Sequence, residues 1–319
     1  MERRPLGRTE ISVSPITIGA WQLGGPLSLD GEVDGHPDPG EANVTRMIHE
    51  LDELGVNAID TAEQYSAGES ERRVGRALAD RRERWVISTK FGYRVGPGLS
   101  RVDDSSPDTI LPSLEGSLRR LGTDYIDVFL YHCAPHPDEV AAGREVLERA
   151  REQGMIRAYG VSTGRLPVLT SMVEHDAVEV LQFPSSLLDE RPEFWAVARE
   201  RGLGTQVRGV MAQGRLSGKY FDRAPRFRPD DNRAEGCRDV DFARYAALAE
   251  HLPDGVTMAQ AAIRWILDHP GCHTICMGAK NLDDYRAALA ATRLPPLSDA
   301  VREALEHTAA ELSTRGGSC

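Results

Sequence analysis

The chain has 319 residues, 40% hydrophobic and 27% charged, an ordinary globular composition that excludes wholesale disorder. Its 38 Lys and Arg are outnumbered by 49 Asp and Glu, for a net charge of -11, which weighs against nucleic acid as a main partner because phosphate binding needs a concentrated basic face. No run approaches the ~18 apolar residues of a membrane span, no apolar core follows Met1-Glu2-Arg3-Arg4-Pro5 as a secretory signal would need, and the five scattered cysteines (Cys133, Cys237, Cys272, Cys276, Cys319) make no disulfide framework, so a cytoplasmic location is expected.

Residues 3–14 read as an N-terminal β-hairpin, and Ile16-Thr17-Ile18-Gly19 as the first strand. Val44, Met47, Ile48, Leu51 and Leu54 then recur at helical spacing over residues 42–54, and Gly55 stops that helix. Asn57 to Asp60 is a strand, Ser70 to Ala79 a polar helix, and Trp85 to Lys90 a third strand. The Arg81-Arg82-Glu83-Arg84 run between them reads as a solvated linker. Ser106-Pro107 opens a helix, with Ser as the cap and Pro at the first helical position. Pro112, inside it, is expected to kink or delay it. Strands follow at 125–131, 156–161, 178–183, 203–207 and 273–277. Helices follow at 138–152, 166–174, 191–201, 240–251, 257–268, 281–291 and 297–312.

Eight strand–helix units at about 40 residues each imply a parallel sheet, and eight suggest closure into a (β/α)8 barrel of the TIM type, which needs ~250 residues. The surplus fits the N-terminal hairpin, a final helix and long βα loops at the C-terminal face, so residues 1–319 are expected to form a single domain. The rival, a doubly wound open sheet, wants a glycine-rich phosphate turn after an early strand, and the chain has no G-x-G-x-x-G. Asp60, Lys90 and His132 each fall at or just past the end of a strand, the catalytic face of such barrels.

The segment Asp60-Thr61-Ala62-Glu63-Gln64-Tyr65 followed by Gly68-Glu69-Ser70-Glu71 closely resembles the signature of the aldo-keto reductase family. Further matches follow in order: Leu6-Gly7-Arg8-Thr9, Ser88-Thr89-Lys90-Phe91, the run from Ser117 to Asp127, Gly160-Val161-Ser162, Ser217-Gly218-Lys219-Tyr220 and Gly278-Ala279-Lys280. The resemblance covers nearly the whole chain. It implies a (β/α)8 barrel that reduces a small-molecule carbonyl with NADPH, NADH being the alternative, through a tetrad of Asp60, Tyr65, Lys90 and His132. The residue types suit that task. A phenol with pKa about 10 is a weak acid, and the Lys90 ammonium is expected to lower the pKa of Tyr65. Asp60 would keep Lys90 charged, and His132 would donate a hydrogen bond to the carbonyl oxygen.

The same resemblance assigns Ser162, Thr163 and Gln182 to the nicotinamide carboxamide; Thr163 stands where the family usually has Asn. Arg208 replaces an aromatic residue that stacks on the nicotinamide, and is expected to stack or to meet phosphate. Gly214 and Leu216 are expected in a pyrophosphate-binding turn whose backbone N–H groups serve as donors. Gly278 precedes Lys280, which is placed against the 2′-phosphate of NADPH at a helix N-terminus, although Asp284 brings a carboxylate to the same end. The Cys272-His273-x-x-Cys276 spacing lacks a second ligand pair, so no metal is expected. Three loops, about Gly24–Gly40, Tyr93–Ser105 and Phe221–Cys237, should select the substrate. Their polarity suggests a polar or sugar-like carbonyl. A cofactor-binding regulatory protein with little turnover is the alternative function.

Overall fold

A computed structural model describes residues 1–314. Eight parallel strands close into a barrel: β1 (Ile16–Gly19), β2 (Ala58–Asp60), β3 (Val86–Phe91), β4 (Ile126–Tyr131), β5 (Ile156–Ser162), β6 (Val180–Pro184), β7 (Gly204–Arg208) and β8 (Thr274–Met277), with β8 pairing back onto β1. Eight helices alternate with them outside: α1 (Glu41–Glu53), α2 (Glu69–Leu78), α3 (Pro107–Leu121), α4 (Val140–Glu152), α5 (Leu166–Glu174), α6 (Pro192–Arg201), α7 (Met258–Leu267) and α8 (Leu282–Ala291), followed by α9 (Asp299–Thr314). None of the described helices is long and apolar enough to cross a membrane. Cys133, Cys272 and Cys276 form no disulfide, and Cys319 lies outside the described residues.

Alternation along β3 shows how the sequence builds the site. Ile87 and Phe91 belong to the layer between barrel and helices, whereas Val86 points inward, two residues before Ser88 and four before Lys90. At the bottom the inner wall is apolar: Ala58, Val86, Val128, Ala158 and Val180 cluster with Leu6, Ile11 and Val13, so the N-terminal hairpin (Arg4–Pro5 with Ser12–Val13) plugs the barrel. Higher up the layer is polar, and Gln206 Nε2 donates to Ser88 Oγ at 2.6 Å. The interior is thus sealed at one end and polar at the other.

Several local expectations need correction. Pro112 neither delays nor breaks α3, which starts at Pro107 and runs continuously to Leu121. The hydrogen bond it forgoes would end on the carbonyl of Asp108, and both residues are on the exposed face, where a lost helix bond is least costly. Ser106 makes no side-chain cap; its Oγ donates instead to Asp104 Oδ1 at 2.7 Å, which also accepts the Ser106 N–H at 3.1 Å. Residues 243–251 form a 3₁₀ helix rather than an α-helix. Two of the three loops fold into hairpins (Ser28–Leu29 with Glu32–Val33, Tyr93–Val95 with Arg101–Asp103), and the third holds a single turn, Arg233–Gly236.

Within the Arg81–Arg84 run Glu83 and Arg84 are exposed as expected, but Arg82 is not solvated. Arg82 donates to the buried Asp127 Oδ2 at 2.7 Å, and Asp127 also accepts from Arg157 at 2.7 Å and from the Ile87 N–H at 3.0 Å. Removing that carboxylate takes the charged partner from Arg82 at the barrel floor and from the part-exposed Arg157, and takes the side-chain acceptor from the buried Ile87 N–H. Asp127→Ala is therefore expected to lower the unfolding free energy by about 3–5 kcal/mol, read from urea denaturation; a loss under about 1 kcal/mol would show that the pair is exchanged for water without penalty.

Candidate active site

Asp60 ends β2, Lys90 is the penultimate residue of β3, and His132 follows β4, so adjacent strands deliver three polar side chains to one mouth. Tyr65 enters on the turn between β2 and α2. Lys90 Nζ is fully buried and donates to Asp60 Oδ2 at 2.8 Å, to the Thr61 carbonyl at 2.8 Å and to Tyr65 OH at 3.1 Å. An ammonium has three protons, and these contacts use all of them. Burial disfavours the charge on Lys90, but Asp60 and Tyr65 outweigh burial and hold its pKa above the usual lysine value.

The pKa of Tyr65 departs from expectation. Burial raises it, and the opposing pull of Lys90 does not overcome burial. Tyr65 is thus a firmly protonated phenol through neutral pH. His132 is pushed well below its ordinary value by burial, then by the charges of Lys90, Arg208 and Arg101, so it is a neutral imidazole. Its ring stands edge-on to Tyr65 (centroids 5.8 Å apart) and to Tyr93 (5.0 Å), and its Nδ1 is buried without a hydrogen-bond partner.

These groups open into a cavity of about 1800 Å³ that continues past Ser162, Thr163, Gln182, Arg208 and Gly214 to Gly278, Lys280 and Asp284. Small-ligand pockets hold about 300–1,000 Å³, so the space exceeds what a small carbonyl compound needs.

Comparison with known proteins identifies the family. The family model described as "Aldo/keto reductase family" matches residues 15–309. The chain belongs to the aldo/keto reductase family. The family comprises oxidoreductases that act on carbonyl compounds with nicotinamide cofactors. An uncharacterized oxidoreductase of Bacillus subtilis, YqkF, is 28% identical over 97% of both chains. An NADH-specific methylglyoxal reductase of Escherichia coli is 32% identical over 68% of this chain and 70% of its own. Among solved structures, the holo form of an aldo-keto reductase from Bacillus halodurans superposes with a TM-score of 0.81 at 30% identity, covering 97% of this chain and 96% of that one.

Within this family member the remaining expected residues are placed unevenly. Ser162, Thr163, Gln182, Arg208, Gly214, Gly278, Lys280 and Asp284 all line the cavity. Gln182 is already engaged at both ends of its amide: Nε2 donates to Asp60 Oδ1 (2.9 Å) and Gln206 Oε1 (3.1 Å), and Oε1 accepts from Ser162 Oγ (2.9 Å). Its amide nitrogen thus bridges Asp60 and Gln206. Thr163 Oγ1 accepts from the Arg165 N–H at 3.0 Å. The Arg208 guanidinium has no hydrogen bond or ion pair among the described residues, while its charge reaches both Tyr65 and His132.

Leu216 is a correction: its side chain is fully buried in the core, and its N–H donates to the Met211 carbonyl at 3.2 Å. The Gly214 N–H is likewise taken by Met211, at 2.8 Å, so neither amide is an open anion donor. At the far end Lys280 donates to the buried Asp231 at 2.5 Å, Asp231 also pairs with Arg233, and Asp284 pairs with Lys219 and Asn281. His273 of the Cys272–Cys276 run is occupied by the Thr205 N–H (3.1 Å) and Oγ1 (2.9 Å). No group of three or more metal-ligating side chains occurs among the described residues.

Sequence reasoning missed Gln206, which braces Gln182, and missed the link from Gln64 Nε2 to Asp34 Oδ2 (2.5 Å), which is shared with Arg101 at 3.3 Å. These join residues 24 to 67 positions apart, and nothing local in sequence marks them. It also missed Trp21, whose ring stacks near Tyr65 with centroids 5.9 Å apart.

Proposed function

We propose that this chain reduces a small polar aldehyde or ketone with a hydride from NADPH, with Tyr65 as the general acid. One observation carries the reading: the Lys90 ammonium donates a hydrogen bond to the Tyr65 oxygen, which leaves the phenolic hydrogen to be donated into the cavity. A bound nicotinamide supplies the hydride, which side chains cannot do. The cavity fits such a group in size, and the Arg208 guanidinium, unpartnered among the described residues, and the Thr163 hydroxyl, which accepts from the Arg165 N–H and keeps its own proton, offer donors at the tetrad end.

The chain's own residues then act as follows. His132, being neutral, donates a hydrogen bond to the carbonyl oxygen and aims it at Tyr65. Tyr65 gives its proton to that oxygen as negative charge grows there. Lys90 stabilises the resulting phenolate without leaving its place, because the Thr61 carbonyl and Asp60, itself held by Gln182, fix it. Asp34, Arg101 and Asp103 line the cavity beside Tyr65 and favour a hydroxylated or otherwise polar substrate. The enzyme would work in the cytoplasm as a small-molecule reductase.

For the cofactor we propose a modest preference for NADPH, set by Lys280. The 2′-phosphate would have to share Lys280 with Asp231, and Asp284 adds negative charge nearby, so the preference is expected to be about tenfold, one charge-assisted contact being worth about 1.5–3 kcal/mol before that competition. Fluorescence titration should show Lys280→Met bringing the two dissociation constants together; an unchanged ratio would remove Lys280 from the selection. The activity itself is tested by the fall of nicotinamide absorbance on a panel that includes methylglyoxal, glyceraldehyde and purely apolar aldehydes. Polar members should turn over fastest. Binding of cofactor with no turnover across the panel would favour a regulatory protein instead.

A further inference from the structure

The turn that carries Tyr65 is strained on its far side. Ser66, Ala67 and Gly68 follow it with φ of 51°, 54° and 81°, and two successive non-glycine residues hold the left-handed region only where their surroundings enforce it. On the near side sits Glu63, 9% exposed, a carboxylate with no task in the chemistry above. Its N–H donates to the Lys90 carbonyl at 3.2 Å. Its Oε1 accepts from the Gly92 N–H at 3.0 Å and from Ser113 Oγ at 3.3 Å, and its Oε2 faces Arg120 at 3.9 Å.

The partners are themselves fixed. Arg120 donates to the buried Glu71 at 2.5 Å, and Glu71 accepts from Thr89 Oγ1 at 2.7 Å. The Arg120 stem is packed on the strained turn: a Cβ on Gly68 would lie 2.6 Å from Arg120 Cδ. Gly92 has φ of 105°, and a Cβ there would lie 2.3 Å from Ser105 Oγ. Glu63 therefore joins three pieces of chain, namely the Tyr65 turn, the end of β3 just past Lys90, and α3.

We propose that Glu63 is a positioning residue that clamps the Tyr65 turn to the strand end bearing Lys90 and thereby sets the Tyr65–Lys90 contact. The proposal rests on the reading of Tyr65 as the acid. Burial raises the Glu63 carboxyl to about 7; the Gly92 N–H lowers it, Glu71 raises it, and Arg120 and Arg94 lower it. Protonation below that pH removes the charge facing Arg120 and loosens the clamp. His132, already neutral, adds no limb of its own in that range, and Tyr65 stays protonated.

The test is the pH dependence of kcat for carbonyl reduction in wild type, Glu63→Gln, Glu63→Ala and Tyr65→Phe, with NADPH dissociation constants and Tm alongside. Wild type should lose rate as pH falls through about 7. Glu63→Gln, neutral at every pH, should lack that limb and run about 5–20-fold below wild type at pH 8, and Glu63→Ala about 50-fold below, displacements near 1 Å costing up to about 10²-fold. NADPH affinity should hold within about twofold in both, since neither touches the cofactor. Should the Ala variant fail to fold, the Gln variant decides alone. A Gln variant that keeps the wild-type limb, or variants with wild-type kcat at pH 8, would overturn the clamp while a crippled Tyr65→Phe leaves the acid assignment standing. An unimpaired Tyr65→Phe would overturn the acid assignment itself.

Discussion

Replacing Tyr65 by Phe should lower kcat by about 10²–10⁴-fold, the span that a positioned general acid supplies. The substitution removes one oxygen and leaves the ring, its stacking near Trp21 and its edge contact with His132. NADPH affinity should therefore stay within about twofold, and KM should move little, because the lost contact is made in the transition state rather than in the ground state. The buried Lys90 ammonium loses one of three acceptors but keeps Asp60 and Thr61, so the fold should hold. Steady-state kinetics with cofactor titration by fluorescence reads both halves of this expectation. A parallel rise in KM and cofactor Kd would instead point to a binding role.

Lys90→Met should be severe twice over. Asp60 is 5% exposed, and without Lys90 its carboxylate is left on Gln182 alone. Breaking a buried pair by removing one partner costs about 3–5 kcal/mol, which for a chain of this size is a Tm lower by roughly 5–15 °C. Activity should fall at least as far as in Tyr65→Phe, because the phenol loses its only charged donor. Adding Asp60→Asn should separate the two effects. The double variant removes the stranded charge and should recover most of the Tm with none of the rate. Thermal unfolding followed by far-UV circular dichroism checks the first effect, and nicotinamide absorbance the second. Recovery of rate in the double variant would show that Lys90 acts on stability alone.

What the sequence made legible was what local pattern encodes. Short strand-like runs alternating with helical runs marked all eight barrel strands, and Asp60, Lys90 and His132 could be placed together because each stands at or just past a strand end. Local pattern misled where long-range partners decide. Arg82 looked solvated until Asp127, 45 residues away, drew it in. Ser106 looked like a cap until Asp104 took its hydroxyl. The backbone N–H groups of Gly214 and Leu216 looked like open anion donors, but the Met211 carbonyl takes both. Lys90 pulls the Tyr65 pKa down as its charge requires, but burial, which no motif states, outweighs it and leaves the phenol raised. Gln182 holds Asp60 across 122 residues of chain, and only closure of the barrel brings them together.

The most direct test of the account is a single-turnover experiment on enzyme preloaded with NADPH, mixed with the best carbonyl of the panel and followed at the nicotinamide band. Wild type should show a rapid stoichiometric fall in absorbance, and Tyr65→Phe, binding the same amount of cofactor, should show that fall slowed by about 10²-fold or more. Equal rates in the two proteins, or no absorbance change in wild type with cofactor bound, would contradict it.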